Sequence, residues 1–309
     1  MSREGVLLLG GAGFIGSALA RCLEQEKITA HILVRHDTER LESVLPQCGT
    51  VIHLASATTP GSSATHPGLE LGNLALTLRL LELMQNQPET HLIFFSSGGT
   101  IYGNPDRLPV TEDAPIAPLS NHGAGKAAQE TFCHAFRAQG HAVTILRPSN
   151  AYGPGQIPKS GFGLIRTMLE CVRVGTPLEI WGDGENIRDF IYIDDIVEAC
   201  MRLIDLPQDS ETYNLGSGVG YSINQVRRIV EQVTGVELKT VHHPARGIDV
   251  RAVVLDTSRL EARLGWKPET SLEEGVSHTF KWLKQTRAGL NIRIQDPAFH
   301  GSIVNDDPS

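Results

Sequence analysis

Short apolar runs alternate with helical patterns along the first half of the chain. The predicted strands cover residues 6–9, 31–34, 51–55, 92–95 and 142–146. Runs such as 92–95 are apolar on both faces, which is typical of central strands in a parallel sheet. Strands that alternate with helices predict an α/β fold built on a doubly wound, mostly parallel sheet. Only one helix fits between Arg35 and Val51, so we expect the first half of the sheet to be one strand short.

The pattern loosens beyond Gly155, where we expect a smaller part that forms the second wall of a cleft. Its predicted elements are a helix over 164–174, a strand over 178–181, a helix that ends near Leu203, a strand over 213–216 and a helix from the capping Ser222 to about Thr234. The last residues, 285–309, are polar and aperiodic, so we expect a loosely held tail.

Glycines stand at the junction of the first strand and the first helix. The segment from Gly10 to Gly16 reads Gly-Gly-Ala-Gly-Phe-Ile-Gly. Glycines let the backbone approach a pyrophosphate, and the helix N-terminus supplies free amides and a positive dipole end. The position between strand and helix predicts dinucleotide binding.

The end of the second strand leaves the choice of dinucleotide open. Arg35 stands where such sites often have an acid for the adenosine ribose, and it could accept the 2′-phosphate of NADP. Asp37 keeps NAD open, with Arg35 as a surface residue. The sequence therefore predicts NAD or NADP as the cofactor.

Composition excludes several classes of protein. The formal charge of −8 argues against general attraction to nucleic acid or to an anionic membrane surface. No apolar run reaches membrane-spanning length, and the first residues lead directly into a strand, so we expect neither a membrane span nor a signal peptide. The five cysteines are scattered, without metal-ligand spacing, and suit a reducing cytoplasm. We expect no metal site.

Two further helices carry candidate features. The helix predicted over 69–85 is apolar on more than one stripe, so we expect it to be covered on two sides. Another helix opens at Ser120 or Asn121, either of which can cap it. Its residues His122 and Lys126 share one face. Read alone, this pair is either a solvated helix end or a functional site.

The chain resembles the extended short-chain dehydrogenase/reductases, and among them the NAD-dependent epimerase/dehydratase family that acts on nucleotide sugars. The resemblance runs from Val6 to about Leu283 and implies a Rossmann fold. It is carried by these motifs: Gly10-x-x-Gly13-x-x-Gly16, Val51–Ala55, Asn73, Ser96-Ser97 with Tyr102-Gly103, Arg147–Gly155, Gly182–Gly184, Arg188–Asp195, Asn214–Gly218 and Leu264–Pro268.

The resemblance implies roles for individual residues. The pyrophosphate would be cradled by Gly10, Gly13, Phe14, Ile15 and Gly16. Leu54 and Ala55 would line the nicotinamide half, and Lys126 would hold the nicotinamide ribose. The substrate diphosphate would be met by Asn150, Arg188 and Arg251, since arginine can engage phosphate bidentately. The alternative for the two arginines is a surface salt bridge to Asp189 or Asp249.

Two positions depart from the family. A Tyr ordinarily stands four residues before the Lys, and a Ser or Thr four residues before the Tyr of the Tyr-Gly pair; here these positions are His122 and Gly98. A histidine is largely neutral at pH 7 and a positive charge on Lys126 should keep it so, which makes His122 a candidate general base. The missing hydroxyl could come from Thr100, if strand alternation continues there, or from Ser97 on the other face.

The resemblance thus implies a cytoplasmic NAD(P)-dependent nucleotide-sugar epimerase/dehydratase, most simply a 4-epimerase of a UDP-sugar. Alternatives are a binding pseudoenzyme that has lost turnover and an NADPH-dependent reductase. We expect a dinucleotide-binding domain over 1–155, to which 189–218 returns, and a substrate-binding part over 156–188 and 219–284. The family also implies a homodimer through the helices 69–85 and 122–139.

Overall fold

A computed structural model of the protein describes residues 5–158, 162–206, 208–247 and 249–288. The strands are β1 (Gly5–Leu9), β2 (Ala30–Leu33), β3 (Cys48–His53), β4 (His91–Phe95), β5 (Val143–Pro148), β6 (Asn150–Tyr152), β7 (Leu178–Trp181), β8 (Ile187–Tyr192), β9 (Thr212–Leu215), β10 (Gly220–Ser222), β11 (Thr240–His243) and β12 (Ala252–Val253). The α-helices are α1 (Phe14–Gln25), α2 (Leu41–Val44), α3 (Glu70–Met84), α4 (Gly98–Ile101), α5 (Asn121–Ala138), α6 (Leu164–Val174), α7 (Ile193–Ile204), α8 (Ile223–Thr234), α9 (Ser258–Leu264) and α10 (Leu272–Ala288).

Six parallel strands form the central sheet in the order β2-β1-β3-β4-β5-β9. This confirms the predicted doubly wound α/β fold. Strand β2 lies at the edge, because the chain between β2 and β3 holds only α2 and short 3₁₀ turns. The expected shortage of one strand in the first half of the sheet is therefore confirmed within the described residues. The helix predicted over this stretch is broken into those short pieces.

Side-chain alternation explains why the central strands are apolar on both faces. Leu8, Ile52 and Ile93 are paired across β1, β3 and β4 and belong to one buried cluster, which includes residues of α1 and α7. Their neighbours Leu7 and Val51 face the other way, into a cluster with residues of α3 and α5. Each strand is thus covered by a helical layer on both sides.

The chain beyond β5 forms a second, smaller sheet. Strand β8 pairs with β6, β10 and β12, and β7 pairs separately with β11. Of the segment expected to return to the first domain, 189–218, α7 packs on α1 and β9 joins the central sheet, whereas β8 belongs to the small sheet. The domain boundaries themselves stay a prediction.

Two other expectations meet the structure differently. Helix α10 continues to Ala288, so the start of the predicted tail is helical, and residues 289–309 lie outside the described part. Helix α3 buries one side, including Thr77 and Leu80, but Leu71 on its other side is 68% exposed. The expected cover on two sides is therefore wrong for the single chain. No helix within the described ranges is both long and apolar enough to cross a membrane.

Candidate active site

The loop between β1 and α1 lies tightly against the end of β3. Gly10 has φ of 93°, and a Cβ added there would lie 2.6 Å from the amide nitrogen of Ala55. A Cβ on Gly16 would lie 2.6 Å from the carbonyl oxygen of Gly10. Any side chain at either position would collide with backbone. The glycines therefore allow the close strand–turn–helix geometry that brings the N-terminus of α1 to the end of β1.

A cleft of about 1000 Å³ opens at this edge of the sheet. Its lining includes backbone of the glycine loop and apolar side chains from β3 and α3: Gly10, Gly13, Leu54, Ala55, Asn73 and Leu76. Four of the predicted cofactor residues, Gly10, Gly13, Leu54 and Ala55, are thus brought together. Phe14, Ile15 and Gly16 form the first turn of α1 beside them. Glycine backbone beside a helix N-terminus and an apolar wall fit the parts of a dinucleotide.

One end of the cleft is acidic. Glu39 and Glu42 line it together with a single cation, Arg79, whose guanidinium lies 3.2 Å from the Glu42 carboxylate. The side chain of Arg35, the predicted 2′-phosphate ligand, lies outside the described part of the structure.

Helix α5 brings Lys126 to the carboxyl end of β4. Its Nζ donates a hydrogen bond to the carbonyl oxygen of Phe95 at 2.7 Å and lies 5.0 Å from the ring centroid of Phe94. The side chain is buried, and this burial lowers the pKa of Lys126 to about 8. The ammonium is therefore held by a backbone carbonyl and an aromatic ring.

His122 is buried one turn before Lys126, so a solvated helix end is wrong for this pair. The helix is capped by Ser120, whose hydroxyl accepts from the Gly123 amide at 3.1 Å. The Nδ1 atom of His122 lies 3.1 Å from Thr58 Oγ1 and 3.8 Å from Glu70 Oε1. Among the described residues, Nε2 has no hydrogen-bond partner. Burial, with a smaller effect of Lys126, lowers the pKa of His122 to about 4, so the ring is neutral at pH 7.

Asn73 links the groups around His122. Its Oδ1 accepts from the Ala57 amide at 2.7 Å, which identifies Nδ2 as the donor nitrogen. That nitrogen donates to Thr58 Oγ1 at 2.9 Å and to Glu70 Oε2 at 2.8 Å. Asn73, which lines the cleft, therefore binds both neighbours of His122 Nδ1, Thr58 and Glu70.

Sequence reasoning overlooked Thr58 and Glu70. Thr58 follows β3 in a loop without periodicity, so no pattern pointed to it. Glu70 lies three residues before Asn73, which places both on one face of α3. That spacing, together with the motif asparagine, was the available signal.

The turn after β4 is helical, which changes the expected position of the replacement hydroxyl. Residues Gly98–Ile101 form α4, so the strand alternation on which the choice of Thr100 depended does not continue there. Thr100 and Ser97 are half-buried, and the Thr100 hydroxyl donates to Ser97 Oγ at 2.8 Å. A Cβ on Gly98 would lie 2.7 Å from the Arg147 carbonyl oxygen and 2.7 Å from Leu255 Cδ1. Position 98 thus points into packed protein, and the two hydroxyls form a pair.

The predicted diphosphate ligands lie on or beside the small sheet. Arg188 is on β8 and Arg251 immediately precedes β12, where the Ile187 amide donates to the Arg251 carbonyl oxygen at 2.9 Å. Asn150 Nδ2 donates to the carbonyl oxygen of Asp189 at 2.8 Å. Burial lowers the pKa of Arg188 below its ordinary value.

Neither arginine forms the salt bridge considered as an alternative. The Asp189 carboxylate accepts from the Ser217 and Leu255 amides, and Asp249 pairs with Arg246 at 2.9 Å. Within the described residues, Arg188 and Arg251 therefore have no carboxylate partner.

Known proteins match the chain over most of its length. The model of the NAD dependent epimerase/dehydratase family matches residues 6–216. A putative UDP-glucose 4-epimerase of Methanocaldococcus jannaschii is 32% identical over 302 residues, which cover 90% of this chain and 98% of that protein. A UDP-glucose 4-epimerase of Thermotoga maritima, solved with UDP-glucose, has a TM-score of 0.85 at 31% identity and covers 92% of this chain and 99% of its own.

A third comparison has the dinucleotide in its site. The UDP-glucose 4-epimerase of Thermus thermophilus, solved with NAD, has a TM-score of 0.83 at 29% identity and covers 91% of this chain and 99% of its own. The match of the family model over more than half of the sequence, together with the shared fold, leads to one conclusion. The chain belongs to the NAD dependent epimerase/dehydratase family.

Proposed function

We propose that the protein is an NAD-dependent enzyme that transiently oxidises a hexose carbon of a nucleotide sugar, most simply a UDP-sugar 4-epimerase. The observation that carries the proposal is His122, a neutral imidazole whose Nε2 has no partner among the described residues, one helical turn from the buried Lys126. Family membership supports the reaction class, and the relatives named above are UDP-glucose 4-epimerases.

The bound dinucleotide would supply reversible hydride transfer. The residues of this chain would handle the proton and the substrate. His122 Nε2 would take the proton of the sugar hydroxyl and return it after the keto sugar has turned over. Lys126 would hold the nicotinamide ribose, and Thr100, paired with Ser97, would hold the reacting hydroxyl. Arg188 and Arg251 would neutralise the diphosphate, which lets an acidic protein bind a dianion.

NAD is favoured over NADP by the acidic end of the cleft. Glu39 and Glu42 line that space, and Arg79 pairs with Glu42 there. A carboxylate can accept from the 2′-hydroxyl of NAD, but it repels a 2′-phosphate. The protein should therefore copurify with NAD⁺ rather than NADP⁺, which an assay of the released nucleotide would establish. Substrate-dependent consumption of NADPH would instead support the reductase.

The decisive experiment offers UDP-, GDP- and dTDP-hexoses to the wild type and to His122→Ala and follows the sugars by NMR. Turnover by the wild type alone is the expected result. Equal turnover by both would remove His122 from the mechanism. Turnover by neither would favour the binding pseudoenzyme, and a gain of activity in His122→Tyr would identify the histidine as the defect.

We further propose a cytoplasmic homodimer. Leu71 of α3 and Phe132 of α5 are large, apolar and exposed on two helices that pack side by side. Exposed apolar side chains on two adjacent helices favour association with a second copy of the chain. All five cysteines are free thiols, which suits a reducing compartment.

A further inference from the structure

Glu70 holds a buried carboxylate beside the proposed base. It is the first residue of α3, and its side chain and that of His122 are 12% and 11% exposed. One carboxylate oxygen, Oε2, is bound by Asn73 Nδ2 at 2.8 Å. The other, Oε1, is buried without a hydrogen-bond partner and lies 3.8 Å from His122 Nδ1. A buried charged oxygen without a donor is costly, so its presence calls for an explanation.

The backbone of α5 is shaped to admit this carboxylate. A Cβ added at Gly125 would lie 2.6 Å from Glu70 Oε2 and 3.0 Å from its Cδ. Any larger residue at position 125 would therefore push the carboxylate away from the helix that carries His122. The Asn73 side chain also holds the Glu70 carboxylate. Its Nδ2 donates one hydrogen to Glu70 and the other to Thr58.

Thr58 and Glu70 together determine which ring nitrogen of His122 carries the hydrogen. Thr58 Oγ1 already accepts from Asn73, so its own hydrogen can point at Nδ1. In that arrangement neutral His122 carries its hydrogen on Nε2 and cannot accept a proton there. If Nδ1 carries the hydrogen instead, Nε2 has a free lone pair, and Nδ1–H points toward acceptors only.

We propose that Glu70 is a positioning residue that keeps the hydrogen of His122 on Nδ1, so that Nε2 serves as the general base. The negative charge and the unused lone pairs of Oε1 favour Nδ1–H over the arrangement set by the Thr58 hydroxyl. When Nε2 takes a proton, the negative charge of Glu70 stabilises the imidazolium and the positive charge of Lys126 opposes it. These are the two charged groups that face His122 among the described residues. This inference rests on the proposed function, because it assigns a partner to the proposed base.

Nitrogen NMR of the protein labelled at its histidines tests the assignment without relying on activity. The spectrum is recorded with NAD⁺ bound, and His122 is assigned from the signal lost in His122→Asn. The wild type should show the Nδ1–H tautomer, and Glu70→Gln should shift His122 toward Nε2–H. An Nε2–H wild type, or a tautomer that Glu70→Gln leaves unchanged, would overturn the proposal.

Two further variants control the charge and the position of the carboxylate. Glu89→Gln makes the same charge change at an exposed turn and should leave the tautomer as in the wild type. Gly125→Ala keeps the charge but displaces the carboxylate, so it should shift the tautomer in the same direction as Glu70→Gln. If Gly125→Ala left the tautomer of His122 unchanged, the position of the Glu70 carboxylate would not be what sets it.

Kinetics give the second readout. Glu70→Gln should lower kcat by about 100-fold or more while KM stays within about threefold, because a histidine in the wrong tautomer loses general base catalysis. Glu70→Asp, which keeps the charge, should recover part of the loss. A wild type that turns over no sugar nucleotide would count against the proposed function, and the tautomer measurement would still test Glu70.

Discussion

At the scale of single residues, packing determines which positions of the turn after β4 can carry a hydroxyl. Gly98 is fixed by packing, since its Cβ direction is filled by the Arg147 carbonyl and by Leu255. The hydroxyls of this turn belong to Ser97 and Thr100, which bind each other. A Ser or Thr side chain at position 98 would therefore collide with packed protein.

Gly98→Ser should therefore destabilise the protein by about 1–3 kcal/mol without raising activity, because the new side chain overpacks the core. Urea denaturation checks this. Gly99→Ser is the matched control, since its Cβ would meet only the Asn150 side chain at 3.6 Å, an ordinary contact. Leu255→Ala should relieve part of the cost in the double variant. Equal stability of Gly98→Ser and the wild type would contradict the packing argument.

At the scale of elements, α5 is held to the sheet by a buried ion pair. The Arg147 guanidinium of β5 binds the Glu130 carboxylate through Nη2 at 2.7 Å and Nε at 3.0 Å. Both side chains are almost fully buried, and the third guanidinium nitrogen, Nη1, donates to the Tyr102 hydroxyl at 2.8 Å. Since α5 also carries His122 and Lys126, this pair fixes the helix that holds the proposed chemistry.

Breaking the pair should be expensive. Arg147→Met should lower the free energy of unfolding by about 3–5 kcal/mol, because it leaves the Glu130 charge buried alone. Chemical denaturation measures the loss, and Arg147→Met combined with Glu130→Leu should recover part of it. Glu198→Gln, which breaks the exposed pair with Arg202, should change stability by less than about 1 kcal/mol. If Arg147→Met lowered the free energy of unfolding no more than Glu198→Gln does, the buried ion pair would not be what holds α5 to the sheet.

The sequence predicted the regular elements better than the turns between them. The central strands β1 to β5 follow from short apolar runs, and α3, α5 and α6 follow from helical periodicity. Both signals depend on local burial and need no tertiary detail. The turn at Gly98 and the approach of Glu70 to His122 depend on contacts between distant segments. A one-dimensional pattern records neither, although the His122–Lys126 spacing placed both side chains on the correct face.

The exposed side of α3 makes the dimer testable. Leu71→Glu puts a charge on the proposed interface, so the variant should elute as a monomer where the wild type elutes as a dimer in light-scattering chromatography. Val236→Glu, an exposed apolar position outside α3 and α5, is the control and should leave the dimer intact. A wild type that is monomeric at micromolar concentration would refute the homodimer.

At the scale of the whole molecule, three histidines among the described residues are buried: His53, His91 and His122. His53 Nε2 binds Thr77 Oγ1 and His91 Nε2 binds Thr144 Oγ1, each at 2.9 Å, and the Nδ1 atoms of both have no partner. Burial lowers the pKa to about 3 for His53, about 4 for His91 and about 4 for His122. One of the three, His122, is the proposed base. Burial keeps its ring neutral, as it does for the two other histidines.

These pKa values set the direction of acid sensitivity. Each folded pKa lies below the ordinary histidine value of 6.5, so the unfolded chain binds more protons as the pH falls from 6.5 toward 4. Stability is therefore present above pH 6.5 and is lost below it, by about 2 kcal/mol per histidine at pH 5. Urea denaturation at pH 7 and pH 5 should show this loss, and His53→Gln should reduce it by one histidine's share. His66→Gln removes an exposed histidine and should not alter it. A free energy of unfolding that is equal at both pH values would mean that these rings are already solvated or paired when charged, and the neutral state of His122 would lose its physical basis.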